Sequence, residues 1–176
     1  MHHIDDDPRP DGHDRPAADR AARLETLEDA WESQVGDTPL IRARAIERRT
    51  GMRQLYLKVE GDNPTGTQKD RIAFAQVHDA LRRGADAVCF ATCGNYGVAM
   101  AYASEIAALR CVAVVPEPYH APRIQQIEAL GATIVRAGRD YEAAVDHARA
   151  MCEADDGLYD ANPGGENEAI QLRAYR

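Results

Sequence analysis

What this sequence lacks narrows its function before any motif is considered. No block of lysine and arginine occurs, nor any basic stretch interleaved with aromatics, and the net charge is −8 over 176 residues. A field of that sign repels phosphate backbones, so no nucleic-acid partner is expected, and solubility is the plain reading of the acidity. The four cysteines, Cys89, Cys93, Cys111 and Cys152, show no paired zinc-type spacing, so neither a metal site nor a disulfide framework is expected. Thiols in apolar runs act as small buried hydrophobes, and a reducing, cytoplasmic compartment is the default. No apolar stretch reaches the length of a membrane span. Met1 to Arg20 carries charges and prolines without the apolar centre of a signal peptide. What remains, 44% apolar and 28% charged residues, is the composition of a soluble globular protein with one sizeable domain or parts of two.

The pattern along the chain alternates. Residues up to about Arg20 are rich in Asp, Pro, Arg and His and read as a disordered extension, in which His2 and His3 belong to a tail rather than to a metal site. A short helix is expected from about Ala21 to Trp31, then a turn at Gly36-Asp37-Thr38-Pro39-Leu40 opening into an extended segment. Leu55 to Val59 alternates as a strand. Gln68 to Arg83 reads as a helix with Ile72, Val77, Ala80 and Leu81 on its apolar stripe. Strands follow at Ala87–Ala91, Cys111–Val115 and Ala132–Val135, with helices at Asn95–Leu109, Arg123–Leu130 and around Tyr141–Met151. Such alternation means βαβ units and parallel sheets flanked by helices, an α/β fold. Glu168 to Arg176 opens a further helix without Gly, Pro or a basic cluster to end it, which suggests a chain that is part of a larger unit.

Two segments could carry chemistry. Asn63-Pro64-Thr65-Gly66 favours a tight turn, because proline presets φ and glycine relieves strain. The turn feeds the helix bearing Lys69, with Thr67 as the expected N-cap. The positive end of a helix dipole disfavours an ammonium, which suits a lysine that must be neutral to attack an aldehyde. From spacing alone, a solvated lysine whose dipole penalty is softened by Asp70 is the favoured reading. The second segment, Thr92-Cys93-Gly94-Asn95-Tyr96-Gly97, joins a buried strand to a helix. Its free N–H groups suit a carboxylate or phosphate, although a simple turn capped by Asn95 or Thr92 satisfies the same spacing. No G-x-G-x-x-G is present, so a dinucleotide site has little support.

In combination and order these blocks resemble the β family of pyridoxal-phosphate enzymes (fold type II, the tryptophan-synthase-β superfamily). The resemblance runs from Gly36-Asp37-Thr38-Pro39-Leu40 through Leu57-Lys58-Val59-Glu60 and Asn63 to Arg71, then Thr92 to Gly97, Val115-Pro116 and Gly131-Ala132. The Thr67-Gln68-Lys69-Asp70-Arg71 and Cys93-Gly94-Asn95-Tyr96-Gly97 variants, with Asp160-Ala161-Asn162-Pro163-Gly164, look most like threonine-synthase-like members.

The resemblance implies pyridoxal 5′-phosphate as cofactor and a small amino acid as substrate. Lys69 would form the Schiff base and move protons at Cα and Cβ. Asn95 would bond the cofactor's ring hydroxyl, and Thr92, Cys93, Gly94, Asn95 and Tyr96 would receive the substrate carboxylate. Many members carry a small hydroxyl residue where Tyr96 stands, and Ser-Phe or Ser-Val in place of Thr67-Gln68. The family's glycine-rich phosphate loop and its partner for the pyridine nitrogen have no counterpart before Arg176, so weak cofactor binding is expected of this chain alone. The expected division is an extension over 1–20, the start of a large cofactor domain over 21–84, a small mobile domain over 85–159 and a return segment over 160–176. A homodimer is usual in the family. The reading is therefore a threonine-synthase-like lyase, with β-replacement or dehydration of threonine and serine as alternatives. From a different class come a truncated non-catalytic module or one half of a split enzyme. His78, His120 and His147 read as surface residues, Lys58 and Glu60 as strand-face charges, and Arg71 as the partner of a nearby carboxylate.

Overall fold

The computed structural model describes residues 17–119, 122–165 and 167–175, so most of the expected disordered extension, with His2 and His3, and also His120, lie outside the described residues. The part of the extension that is described is not disordered. Helix α1 runs Ala17–Gln34, because Ala17, Ala18, Ala21 and Ala22 give its first turns strong helix propensity. Arg23 fastens it by donating to the carbonyls of Ala107 and Ala108 at 2.8 and 2.9 Å.

A small antiparallel pair follows, β1 (Leu40–Arg42) on β2 (Tyr56–Lys58). It is joined by α2 (Arg44–Thr50), which the sequence pattern did not announce. Glu47 holds this unit together, accepting from Arg42 Nε at 2.9 Å and from the Leu55 N–H at 2.8 Å. A 3-10 turn, Glu60–Asp62, leads to the Asn63 turn and then to α3 (Lys69–Arg83).

The main sheet has four parallel strands: β3 (Ala87–Ala91), β4 (Arg110–Val115), β5 (Thr133–Arg136) and β6 (Leu158–Asp160), in the order β5-β4-β3-β6. Three expected strands are present nearly as read. β3 and β4 are nearly continuous apolar runs, as central strands covered on both faces must be, whereas β5 is an edge strand with exposed Thr133 and Arg136 at its ends. Val88 and Phe90 point into one core with α1, α3 and α4 (Asn95–Ile106), whereas Cys89 and Ala91 point into a second core under α6 (Tyr141–Ala154). Helix α5 (Pro122–Ala129) packs beside α4. The result is three layers, helix, sheet and helix. Helix α3 is more enveloped than its apolar stripe suggested, with every residue from Ile72 to Val77 buried, because it lies between α1, α4 and α7 (Glu168–Arg173). No helix among the described residues is long and apolar enough to cross a membrane.

Candidate active site

The turn that precedes Lys69 forms as its sequence dictates. The Gly66 N–H donates to the Asn63 carbonyl at 2.8 Å, and Gly66 takes φ +82°, a conformation open to glycine at no steric cost. The helix then begins at Lys69 with Gln68 at the cap position and no side-chain cap bond. The expected cap, Thr67, stands one residue too early. Its hydroxyl accepts the Lys69 N–H at 3.2 Å instead. Lys69 is half-buried, and its Nζ lies 3.5 Å from the Tyr175 hydroxyl.

Asp70 does not act as a solvated charge at the helix start. It is fully buried, and its Oδ2 accepts both the N–H and the hydroxyl of Thr65, at 3.2 and 3.0 Å. This clamps the turn onto the first turn of α3. Its other oxygen, Oδ1, is buried without a hydrogen-bond partner, and burial pushes the carboxyl above the usual aspartate range.

Beneath the turn lies a polar network that sequence reasoning recognised only at Arg71. The Arg71 guanidinium donates from Nε to Glu60 Oε2 at 2.8 Å and from Nη2 to Glu60 Oε1 at 2.9 Å, a bidentate pair. It also donates to the Gly36 carbonyl at 2.8 Å. Glu60 accepts further bonds from Thr38 Oγ1 and Asn63 Nδ2, each at 3.0 Å, while Asn63 Oδ1 accepts the Gly36 N–H at 3.0 Å. Lys58 donates to the carbonyl of Thr38. Glu60 and Lys58 are thus parts of a keystone rather than simple strand-face charges. The Arg71 guanidinium, chiefly, holds the Glu60 carboxyl down at about 2. The motifs around Gly36, Glu60, Asn63 and Arg71 meet here to fix the base from which Lys69 projects.

The second segment follows β3. Thr92 is buried, and its Oγ1 accepts the N–H groups of Gly94 and Gly97 at 3.2 and 2.9 Å, so its side chain staples the helix start from inside. A Cβ at Gly97 would stand 2.6 Å from both Thr92 Cγ2 and Ile127 Cδ1, whereas one at Gly94 would meet nothing within 4 Å. Gly97 therefore serves close packing, and the open side of the loop lies over Gly94. Asn95 is exposed there as the first residue of α4. The N–H groups of Asn95 and Tyr96 fall in the first helical turn, which has no intrahelical acceptor for them. Cys93 is half-buried, and burial pushes its thiol above the usual range.

Tyr96 departs from its expected place. Its hydroxyl turns inward, 2.6 Å from Gln76 Oε1 on α3 and 2.6 Å from the Ala161 carbonyl after β6, and its ring packs edge-on against Phe90 with centroids 5.3 Å apart. Only its backbone N–H remains for a carboxylate. Two further residues were not singled out from sequence as site residues. Gln76 is one. The other is Asn162, fully buried, whose Oδ1 accepts the Ala91 N–H at 2.8 Å and so ties the loop after β6 to the end of β3. In a parallel sheet ordered β5-β4-β3-β6, the chain steps outward from β3 to β4 and β5 and then crosses back to β6 on the other side of β3. The order reverses there, and the crevice beyond the carboxyl ends of β3 and β6 is the expected ligand position. The Thr92–Tyr96 loop lies at that edge.

These residues fit a carbonyl cofactor carrying acidic groups. A lysine amine is held at the start of a clamped helix, and a neighbouring helix start, open above Gly94, offers N–H donors and the Asn95 amide.

Residues 32–175 match the family described as PALP, pyridoxal-phosphate dependent enzyme. The chain is 37% identical over 123 residues to Cysteine synthase B of Pseudomonas syringae pv. syringae, covering 66% of this chain and 72% of that protein. It is 37% identical over 117 residues to Threonine synthase of Mycobacterium leprae, covering 66% of this chain and 32% of that protein. A crystal structure of a pyridoxal 5′-phosphate-dependent aspartate racemase superposes with a TM-score of 0.67 over 81% of this chain and 44% of that one, at 24% identity, a likeness of fold. The chain spans about a fifth of the length of the mammalian cystathionine beta-synthases it also matches. By family match, fold and the residues gathered at this crevice, the chain belongs to the pyridoxal-phosphate-dependent enzymes of fold type II, whose cofactor is pyridoxal 5′-phosphate.

Proposed function

We propose that this chain carries the covalent and carboxylate-binding half of an amino-acid lyase resembling threonine synthase, which eliminates phosphate from O-phosphohomoserine and adds water at Cβ. The observation that carries the reading is the pairing of Lys69 at the clamped start of α3 with the open start of the adjoining α4. When bound, pyridoxal phosphate supplies the electron sink for a carbanion at the substrate's Cα. The Lys69 amine gives and takes the protons at Cα and Cβ. The N–H groups of Asn95 and Tyr96 hold the carboxylate, with Cys93 and Gly94 forming the open side of the loop, and the Asn95 amide orients the cofactor ring. Thr92 acts from within, by keeping the loop in shape. The threonine synthases of Mycobacterium leprae and Methanocaldococcus jannaschii, 37% and 31% identical, support this reading.

The likeness to Cysteine synthase B supports a second reading, β-replacement, with the same residues in the same roles. A third is supported by the exposed apolar side chains Leu40, Ile41, Tyr56 and Leu57 on the β1–β2 pair. On this view the chain works with a further segment that covers this exposed pair and adds the phosphate cradle.

Borohydride reduction of the 176-residue chain with pyridoxal phosphate, followed by peptide mapping, tests the common core of these readings. A pyridoxyl group on Lys69, absent in Lys69→Arg, is the expected result. Labelling at Lys58, the one other lysine, or no label, overturns the assignment. Phosphate release from O-phosphohomoserine against sulfide or thiol incorporation into an activated serine separates the first reading from the second.

A further inference from the structure

The candidate carboxylate loop and the lysine helix are joined by one buried hydroxyl. Tyr96 is the second residue of α4, yet its phenol runs down into the protein and stands 2.6 Å from Gln76 Oε1 and 2.6 Å from the Ala161 carbonyl. Gln76 is fully buried and lies seven residues after Lys69, two helical turns along the same face of α3. One hydroxyl has one proton, so it can donate to only one of the two oxygens. The Gln76 amide nitrogen, buried and without another hydrogen-bond partner, completes the bridge as donor when the amide is turned over. Ala161 in turn is held by Gln171 of α7, whose Nε2 lies 3.5 Å from the Ala161 carbonyl and 3.3 Å from that of Asn162. Four residues beyond Gln171, the Tyr175 hydroxyl reaches the Lys69 amine. The chain of contacts closes on itself: Lys69, Gln76, Tyr96, Ala161, Gln171, Tyr175 and back to Lys69.

We propose that Tyr96 is a positioning residue that fixes the carboxylate loop relative to the Lys69 helix, through a buried hydroxyl bridge to Gln76 and Ala161. The proposal deepens the reading of the loop as a carboxylate site and rests on it. The loop is held in its binding geometry before a ligand arrives, because the groups that hold it belong to α3 and to the segment after β6 rather than to α4 itself. Burial keeps the phenol protonated far above its ordinary range, so the bridge persists across the whole working pH range.

Amide hydrogen exchange of the 176-residue chain, read on peptides spanning residues 92–98, tests the bridge. Tyr96→Phe keeps the ring against Phe90 and removes only the hydroxyl. Gln76→Leu removes the partner on α3. Each single variant is expected to speed exchange in this loop about tenfold, the loss of one buried hydrogen bond. The double variant is expected to be no faster than the quicker single, because both break the same bridge. Peptides covering residues 110–115 keep wild-type rates. Unchanged loop exchange, multiplicative effects in the double variant, or equal acceleration at 110–115 overturns the proposal, the last by showing a general loss of stability. Borohydride trapping of pyridoxal phosphate on the wild-type chain is run alongside. Failure to label Lys69 sinks the cofactor reading while leaving the exchange result to judge the bridge.

Discussion

Replacing Glu60 with glutamine takes out the centre of the network beneath Lys69. The carboxylate accepts four hydrogen bonds, two from the Arg71 guanidinium at 2.8 and 2.9 Å and one each from Thr38 and Asn63 at 3.0 Å. Its pKa falls from the ordinary 4.5 to about 2, which corresponds to roughly 3 kcal/mol at 1.36 kcal/mol per unit. The side chain is 26% exposed, and solvent screening of a partly exposed pair reduces that figure to about 2 kcal/mol. Glutamine adds a second cost by turning an amide N–H toward the Arg71 donors. Urea denaturation of the 176-residue chain at pH 7 is therefore expected to show Glu60→Gln less stable by about 2 kcal/mol. The sign with pH follows from the direction of the shift. A carboxyl with a depressed folded pKa contributes stability above its unfolded value, and that contribution is lost as pH falls through the folded one. The gap between wild type and variant should hold from pH 7 to about 4.5 and close toward pH 2. A gap under about 0.5 kcal/mol at pH 7, or one that stays constant down to acid unfolding, would refute the keystone.

Two further substitutions probe the loop. Gly97→Ala gains about 1 kcal/mol of helix propensity but drives a methyl to 2.6 Å from Thr92 and Ile127. Overpacking and a weakened Thr92 staple outweigh the gain, so thermal denaturation should show a net loss of about 1–2 kcal/mol, and a raised Tm would contradict the crowding argument. Asn162→Ala strips the Ala91 N–H of its 2.8 Å acceptor deep in the protein. A cost of about 2–3 kcal/mol is expected in urea, and a neutral result would mean that another group fills the vacancy.

The layered fold was legible in its apolar runs. The strands at Ala87, Arg110 and Thr133 are uninterrupted or nearly uninterrupted apolar runs, and period-3.6 patterns separate them. β6 was not legible. Leu158-Tyr159-Asp160 is three residues long and ends in a charge, and it becomes a strand through its pairing with β3. α2 hid for a similar reason. Arg44-Ala45-Ile46-Glu47-Arg48-Arg49-Thr50 has almost no apolar face, and is held instead by Glu47. At the candidate site, glycine and proline mark the helix starts that bear Lys69 and Asn95, and the order of the family motifs singled these two residues out. Gln76 and Asn162 could not be assigned roles that way, since a buried amide reveals its partners only once distant segments meet. One signal was available: Gln76 interrupts an apolar run two turns after Lys69 on the same face. Tyr96 illustrates the opposite hazard, a residue placed by its motif whose side chain goes elsewhere.

The β1–β2 pair has a practical consequence. Leu40 is 64% exposed and Ile41 53%, with Tyr56 and Leu57 nearly as open beside them, on two short strands whose outer edges carry no partner among the described residues. A net charge of −8 keeps molecules apart at low ionic strength, and salt screens that repulsion within about 10 Å at 0.1 M. The isolated chain should therefore be colloidally stable in dilute buffer and turn turbid as salt and protein concentration rise together.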